Sequence, residues 1–309
     1  MRSDLASLLS GDAISTTTGV YDPLSALAAE RAGLDAVMLS GFSVAASVIG
    51  RPDFGLLTQT EIVDAARRTT RRTRLPVLVD GDTGHGGVAN VVRLVEELLD
   101  VGAAGVFLED QVWPKRCGHM RGKTVVAASE HQAKVRAAVD ARGDAEFLIV
   151  GRTDARAPLG LDEAIRRGRM LRDAGADVVF VEAPESVAEL ERVRAEIDGP
   201  LLVNMVEGGA TPIVARAELE RMGFEIVVYP VTGILAVARV LEEAFVALAR
   251  DGGSDAVAGR LADFEAFTTM LGLDDLYELE RRYGADAGRD AESAEPPATG
   301  KLDTRDDAR

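Results

Sequence analysis

The chain has 309 residues, 47% apolar and 28% charged, enough for one large domain or two small ones with a full core. A net charge of −16 argues against a nucleic-acid partner, which attracts basic surfaces, and no apolar run approaches the roughly 18–20 residues of a membrane span. One cysteine permits neither an internal disulfide nor a cysteine-rich zinc site, and the short N-terminus lacks the order of a signal peptide, so a cytoplasmic protein is expected.

Eight apolar runs follow one another, each ending in polar or small residues: 13–22, 35–41, 76–82, 104–110, 146–154, 177–183, 200–207 and 225–233. Val, Ile and Leu dominate most of them without alternation, as in strands buried on both faces. Helical segments lie between. The segment 57–73 opens with Thr58 before Glu61, a capping-box spacing. The segments 88–102 and 161–175 end on glycine, and 186–200 starts on Ser186 and ends on Gly-Pro. Eight such units in about 230 residues predict a (β/α)8 TIM-type barrel; an open doubly wound sheet is the alternative, and the count and even spacing favour the barrel.

After the eighth run come extra helical stretches from about residue 234, with Leu261, Phe264, Phe267 and Leu271 forming an apolar stripe that needs burial. The expected organisation is one barrel domain over 1–283, this helical extension included, and a disordered acidic tail over 284–309.

Active sites of such barrels lie at the C-terminal ends of the strands. Those ends carry Ser40-Gly41, Asp80 and Asp82, Glu109-Asp110-Gln111, Arg152 and Asp154, Glu182, Asn204 and Glu207, and Tyr229-Pro230. Asp80 and Asp82, two apart, would point to one face of a strand and repel each other unless a cation sat between them. Oxygen donors without spaced histidines favour Mg2+ or Mn2+ over zinc. Arg152 would face the carboxylate of an anionic small-molecule substrate. The glycines of "GDTGHGG" (81–87) lack the spacing of a phosphate loop and read as a close backbone approach to the metal site. His85 is expected at the rim, His131 on a helix surface and Trp113 as a loop anchor.

The set "SGF", "GRPD", "LVDGDTGHG", "FLEDQVWPKRCGHMRGK", "GRTDAR", "FVEA", "NMVEGGATP" and "YP", in order from about residue 15 to 250, resembles the isocitrate lyase/phosphoenolpyruvate mutase superfamily. The resemblance implies a barrel whose C-terminal helices swap between subunits of a homo-oligomer, with a dimer of dimers expected. It implies Mg2+ (Mn2+ as a substitute) near Asp80 and Asp82, with Asp53 and Glu109 in support. Ser40, Gly41 and Phe42 resemble the place that holds a 2-oxo acid, and Arg152, Glu182, Asn204 and Thr211 the substrate contacts. Cys117, Gly118 and His119 resemble the mobile loop of the carbon–carbon lyases, with Cys117 as general acid and Lys115, Arg116 and His119 offsetting the charge of the intermediate. Those same cations would favour thiolate over thiol.

Members without that cysteine include the phosphoenolpyruvate mutases and oxaloacetate decarboxylases, so Cys117 points to a lyase acting on 2-methylisocitrate, isocitrate or 2,3-dimethylmalate, although the form "WPKRCGHMRGK" and "NMVEGG" resemble the dimethylmalate lyase and carboxyphosphonoenolpyruvate mutase branches. A carboxyphosphonoenolpyruvate- or phosphonopyruvate-type mutase or hydrolase, or an oxaloacetate decarboxylase, is the alternative. Met120, in place of an arginine, and Met38, in place of a tyrosine, weaken the tricarboxylate case.

Overall fold

The computed structural model describes residues 5–9, 13–120 and 122–284. Eight parallel strands close into a barrel: β1 Ser15–Val20, β2 Ala36–Leu39, β3 Val77–Asp80, β4 Gly105–Glu109, β5 Leu148–Thr153, β6 Val178–Val181, β7 Leu201–Asn204 and β8 Ile226–Tyr229. The ring excludes the open-sheet alternative, because β8 pairs back onto β1 with Thr17 opposite Val228. Threonine enrichment in β1 has a physical use at this seam. Thr17 Oγ1 donates to the Val227 carbonyl at 3.1 Å and Thr18 Oγ1 to that of Tyr229 at 3.0 Å.

Every strand buries both faces, which is why the runs show no polar alternation. One face fills the barrel with Ala36, Met38, Leu78, Phe107, Val150, Phe180, Leu202 and Val228. The other meets the surrounding helices through Val37, Leu39, Val79, Val106, Ile149, Val179 and Val203. Leu8, from the 3-10 turn Leu5–Leu9, joins the interior set.

The helices form where the spacing puts apolar residues on one side. Gln59–Thr70 carries the reciprocal cap read from the sequence: the Thr58 amide donates to Glu61 Oε2 at 2.8 Å and the Glu61 amide to Thr58 Oγ1 at 3.3 Å. Val88–Asp100 buries Val91, Leu94, Val95 and Leu98. Leu161–Asp173 and Val187–Glu196 follow, the latter capped by Ser186. Among the described residues no helix is long and apolar enough to cross a membrane.

The chain divides into two compact units, 1–243 and 244–309. The first holds the barrel. In the second, the 3-10 turn Asp255–Arg260 precedes the helices Phe264–Met270 and Leu273–Tyr283, and Leu261, Phe264 and Leu271 are exposed. The expected tail lies outside the described residues apart from Gly284.

Candidate active site

The strand ends converge on a cavity of about 510 Å3, counting the part that opens to solvent, lined at its polar side by Ser40, Asp53, Asp80, Lys115, Cys117, His119, Arg152, Glu182 and Asn204. Met38, Phe42, Phe180, Leu202, Val206, Val228 and Val231 form its apolar wall. Both sets are consequences of strand direction: the residues that follow the buried runs are delivered to one rim.

At one pole sit the carboxylates. The Gly41 amide donates to Asp80 Oδ2 at 3.1 Å, and the Asp82 amide to Asp80 Oδ1 at 3.2 Å. Asp82 does not share a strand face with Asp80, as alternation had predicted. β3 ends at Asp80, and Asp82 turns through the left-handed region at φ 49°, a conformation rare for a residue with a side chain. The turn, not strand pleat, brings the second carboxylate in. Lys115 Nζ lies 2.7 Å from Asp53 Oδ1 and 2.6 Å from Asp82 Oδ1. Burial would discharge this ammonium, but Asp82, Asp53, Asp80 and Glu109 outweigh it and keep Lys115 charged. Burial, with the charges of Asp80 and Asp53, pushes Asp82 up to about 7 against the pull of Lys115. Glu109 is likewise raised, chiefly by burial.

No three His, Cys, Asp or Glu side chains among the described residues are arranged to hold a metal ion as they stand. The donor chemistry nonetheless fits a hard cation. Asp53, Asp80, Asp82 and Glu109 offer only oxygen, Glu109 Oε1 is buried with no hydrogen-bond partner, and the cations paired with these four carboxylates are Lys115, on Asp53 and Asp82, and Arg152, on Glu109.

At the other pole stands Arg152. Asp154 grips it, with Nε to Oδ2 at 2.8 Å and Nη2 to Oδ1 at 3.1 Å, and Glu109 Oε2 lies 3.2 Å from Nε. Burial works to raise Glu182, but Arg152 and a hydrogen bond from His119 hold its carboxyl down at about 2. His119 Nε2 is 2.8 Å from Glu182 Oε1, and His119 Nδ1 accepts from the Ala210 amide at 3.0 Å. Since Nδ1 accepts, the ring proton is on Nε2, facing Glu182. Asn204 Nδ2 reaches Glu182 Oε2 at 3.3 Å, leaving Asn204 Oδ1 buried without a partner.

The cysteine loop lies between these poles. The Cys117 amide donates to the Asp53 carbonyl at 3.2 Å, and the thiol lines the cavity. Burial pushes the Cys117 thiol up to about 11, with Asp53 and Glu182 adding to the rise against the His119 amide and Arg152. This corrects the expectation of a thiolate. Lys115, His119 and Lys123 meet carboxylates rather than the sulfur, and the thiol keeps its proton. Gly118 is required by contact: a Cβ there would stand 2.3 Å from Glu182 Oε1 and 2.5 Å from Arg152 Nη2.

Three expectations need correction. Arg116 is not brought into the cavity; its guanidinium stacks 4.9 Å from the Phe54 ring and donates to the Gly122 carbonyl at 3.0 Å. Thr211 is buried but does not line the cavity, and its Oγ1 has no partner. His131 is buried rather than on the surface, within the helix Ala128–Arg142, and its pKa is lowered chiefly by burial. His85 is partly buried, 6.0 Å from the Trp113 ring, and burial lowers it to about 4.

Four supporting residues received no role from sequence reasoning, although Asp110, Gln111 and Asp154 were named at the strand ends. Asp110 accepts from Thr153 Oγ1 at 2.7 Å, from the Asp154 amide at 2.7 Å and from Arg167 Nη1 at 2.9 Å. Asp154 aims Arg152, and Lys123 Nζ meets Asp154 Oδ1 at 2.8 Å. Gln111 clasps the backbone of Arg116 in both directions, at 2.7 and 3.0 Å. All four sit one or two residues from a strand end or inside the cysteine segment, where a charge that faces a buried partner is the available signal.

The comparisons with known proteins agree with this architecture. The profile of the phosphoenolpyruvate phosphomutase family matches residues 5–249. The petal death protein of Dianthus caryophyllus is 49% identical over 86% of this chain and 84% of its own length. The chloroplastic carboxyvinyl-carboxyphosphonate phosphorylmutase of Arabidopsis thaliana is 44% identical over 86% and 79%. The 2,3-dimethylmalate lyase of Eubacterium barkeri is 41% identical over 89% and 96%. Among solved structures, oxaloacetate acetylhydrolase with 3,3-difluorooxalacetate superposes with a TM-score of 0.86 at 33% identity, over 92% of this chain and 97% of that one. Phosphonopyruvate hydrolase, solved with oxalate and Mg++, gives 0.81 at 29% identity, over 90% and 96%. A family profile across most of the chain, relatives above 40% identity and a closed barrel with its charged groups at the strand ends converge: this chain is an enzyme of the phosphoenolpyruvate mutase/isocitrate lyase superfamily.

Proposed function

We propose that the chain is a Mg2+-dependent carbon–carbon lyase that cleaves a 2-hydroxy di- or tricarboxylate to a 2-oxo acid and a carboxylate, with Cys117 as general acid. The observation that carries this reading is the Cys117 thiol, kept protonated by burial and lining the same cavity as Arg152 and Asp80. Moving a phosphoryl group from oxygen to carbon does not by itself require a proton on carbon. A lyase does, because the carbon released from the broken bond must take up a proton.

Bound at Asp80 and Asp82, with Asp53 and Glu109 in support, Mg2+ or Mn2+ would polarise the hydroxyl and adjacent carboxylate of the acid. Arg152, immobilised by Asp154, receives a substrate carboxylate through its planar fork. Ser40 and the Gly41 amide border the carboxylate pole. As the C–C bond breaks, the 2-hydroxyl loses its proton to solvent and its oxygen becomes the carbonyl of the 2-oxo acid, the bond's electrons pass to the departing carbon, and the Cys117 proton moves to that carbon, leaving a thiolate to be recharged from solvent after the loop opens. Lys115 and His119 stay beside the developing negative charge. The apolar wall, with Met38 at its edge, accommodates alkyl substituents better than a third carboxylate, so 2,3-dimethylmalate fits this site better than isocitrate or 2-methylisocitrate.

The exposed Leu261, Phe264 and Leu271 support a homo-oligomer whose subunits cover one another's C-terminal helices. The activity is tested by incubating the protein with Mg2+ and each of 2,3-dimethylmalate, 2-methylisocitrate, isocitrate, oxaloacetate and phosphonopyruvate. Phenylhydrazine trapping then follows the 2-oxo acid from the three hydroxy acids, while oxalate and phosphate release follow oxaloacetate and phosphonopyruvate, which are 2-oxo acids already. Release from an alkylmalate or an isocitrate supports the lyase; turnover confined to phosphonopyruvate or oxaloacetate rejects it.

A further inference from the structure

We propose that Lys123 is a positioning residue that latches the Cys117 loop shut against the carboxylate that aims Arg152. The chain uses lysine sparingly among its 35 basic residues, yet this one is buried, its side chain 1% exposed. A buried ammonium needs partners, and Lys123 has two of different kinds. Its Nζ donates to the Gly118 carbonyl, beside Cys117, and to Asp154 Oδ1 at 2.8 Å. That same Oδ1 accepts Arg152 Nη2 at 3.1 Å. One oxygen therefore joins the loop backbone to the substrate-facing arginine.

The other anchors of the loop lack this double reach. Lys115 ties its root to Asp53 and Asp82, and Gln111 holds the backbone of Arg116. His119 meets Glu182, on the far side of the cavity. Lys123 alone among the anchors described bridges loop carbonyl and arginine carboxylate. With the loop in place, Gly118 packs so closely on Arg152 and Glu182 that a Cβ there would clash with both. Without Lys123, Asp154 retains Arg152, but the Gly118 carbonyl loses its donor and the loop loses its link to the arginine.

Alkylation of Cys117 by iodoacetamide tests the latch in the resting protein. It needs no substrate, so its outcome stands apart from the lyase reading on which the catalytic consequence rests. For Lys123→Met, alkylation should run about tenfold faster than in wild type with an unchanged far-ultraviolet spectrum. Lys123→Arg, which keeps the cation, should restore most of the protection. With the acid that the protein cleaves, Lys123→Met should lose about 100-fold in kcat and far less in 1/KM, since misplacing the thiol acts on the transition state. An alkylation rate for Lys123→Met within twofold of wild type would overturn the latch. So would equal acceleration in both variants. Should neither variant fold, trypsin applied to the wild-type protein still decides: the latch requires resistance at Lys123, and rapid native cutting there refutes it.

Discussion

Gly118→Ala isolates the contribution of loop closure. Gly118 does not occupy the left-handed region, so alanine meets no backbone penalty there. The obstacle is contact. The added Cβ would lie 2.3 Å from Glu182 Oε1, 2.5 Å from Arg152 Nη2 and 2.6 Å from Glu182 Cδ. Neither partner can yield, since Asp154 holds Arg152 through two hydrogen bonds and both Arg152 and His119 hold Glu182. Overpacking of this kind costs about 1–3 kcal/mol, and a loop relieves it by moving outward instead of straining the barrel. Closure should therefore weaken by about 5- to 150-fold, with kcat falling in proportion. The barrel core is untouched, so the unfolding midpoint should stay within about 2 °C of wild type. Steady-state kinetics and calorimetry on the same preparation measure both. Unchanged kcat, or a lowered midpoint with intact kcat, would refute the claim that Gly118 is needed for closure over Arg152.

Other expectations follow from the same geometry. Asp110→Asn places an amide among three donors in a buried site and should lower stability by about 3–5 kcal/mol, read as a shift in urea midpoint; a loss under about 1 kcal/mol would contradict the assigned bonds. Asp82 has a folded pKa raised to about 7 from 3.8, so its protonated form is favoured on folding, and that contribution is lost as pH rises from about 4 through about 7. A bound cation needs the carboxylate, so the Mg2+-dependent rise in melting temperature should grow from about pH 6 to about pH 8 and vanish in Asp82→Asn. Cys117, raised to about 11 from 9.0, contributes stability that is fully present below about pH 9 and lost by about pH 11. Its alkylation rate should titrate near 11; a midpoint below 9 would contradict a buried thiol.

Fold and site were not equally legible. The eight strands were readable because burial on both faces leaves an uninterrupted apolar run, and Thr58 with Glu61 marked a helix start by spacing alone. The acidic and basic strand-end residues were readable because barrel direction sends each run's end to one rim. What pattern could not show was side-chain direction beyond the strands. Asp82 reaches Lys115 through a left-handed turn that no periodicity encodes. Arg116, next to Cys117 in sequence, faces Phe54, because adjacent loop residues need not share a side. His131 looked like one more polar helical residue and is buried. Lys123 and Asp154 were visible as charges, but their pairing spans 31 residues and appears only when β5 and the loop meet.

The central claim is that a protonated Cys117 delivers the proton that completes C–C cleavage. The most direct measurement compares wild type and Cys117→Ser for 2-oxo acid release from 2,3-dimethylmalate with Mg2+, alongside the Mg2+-induced shift in melting temperature. Wild type should release the 2-oxo acid, while Cys117→Ser should release none above background and keep the same thermal response to Mg2+. Full turnover by Cys117→Ser would remove the general-acid role.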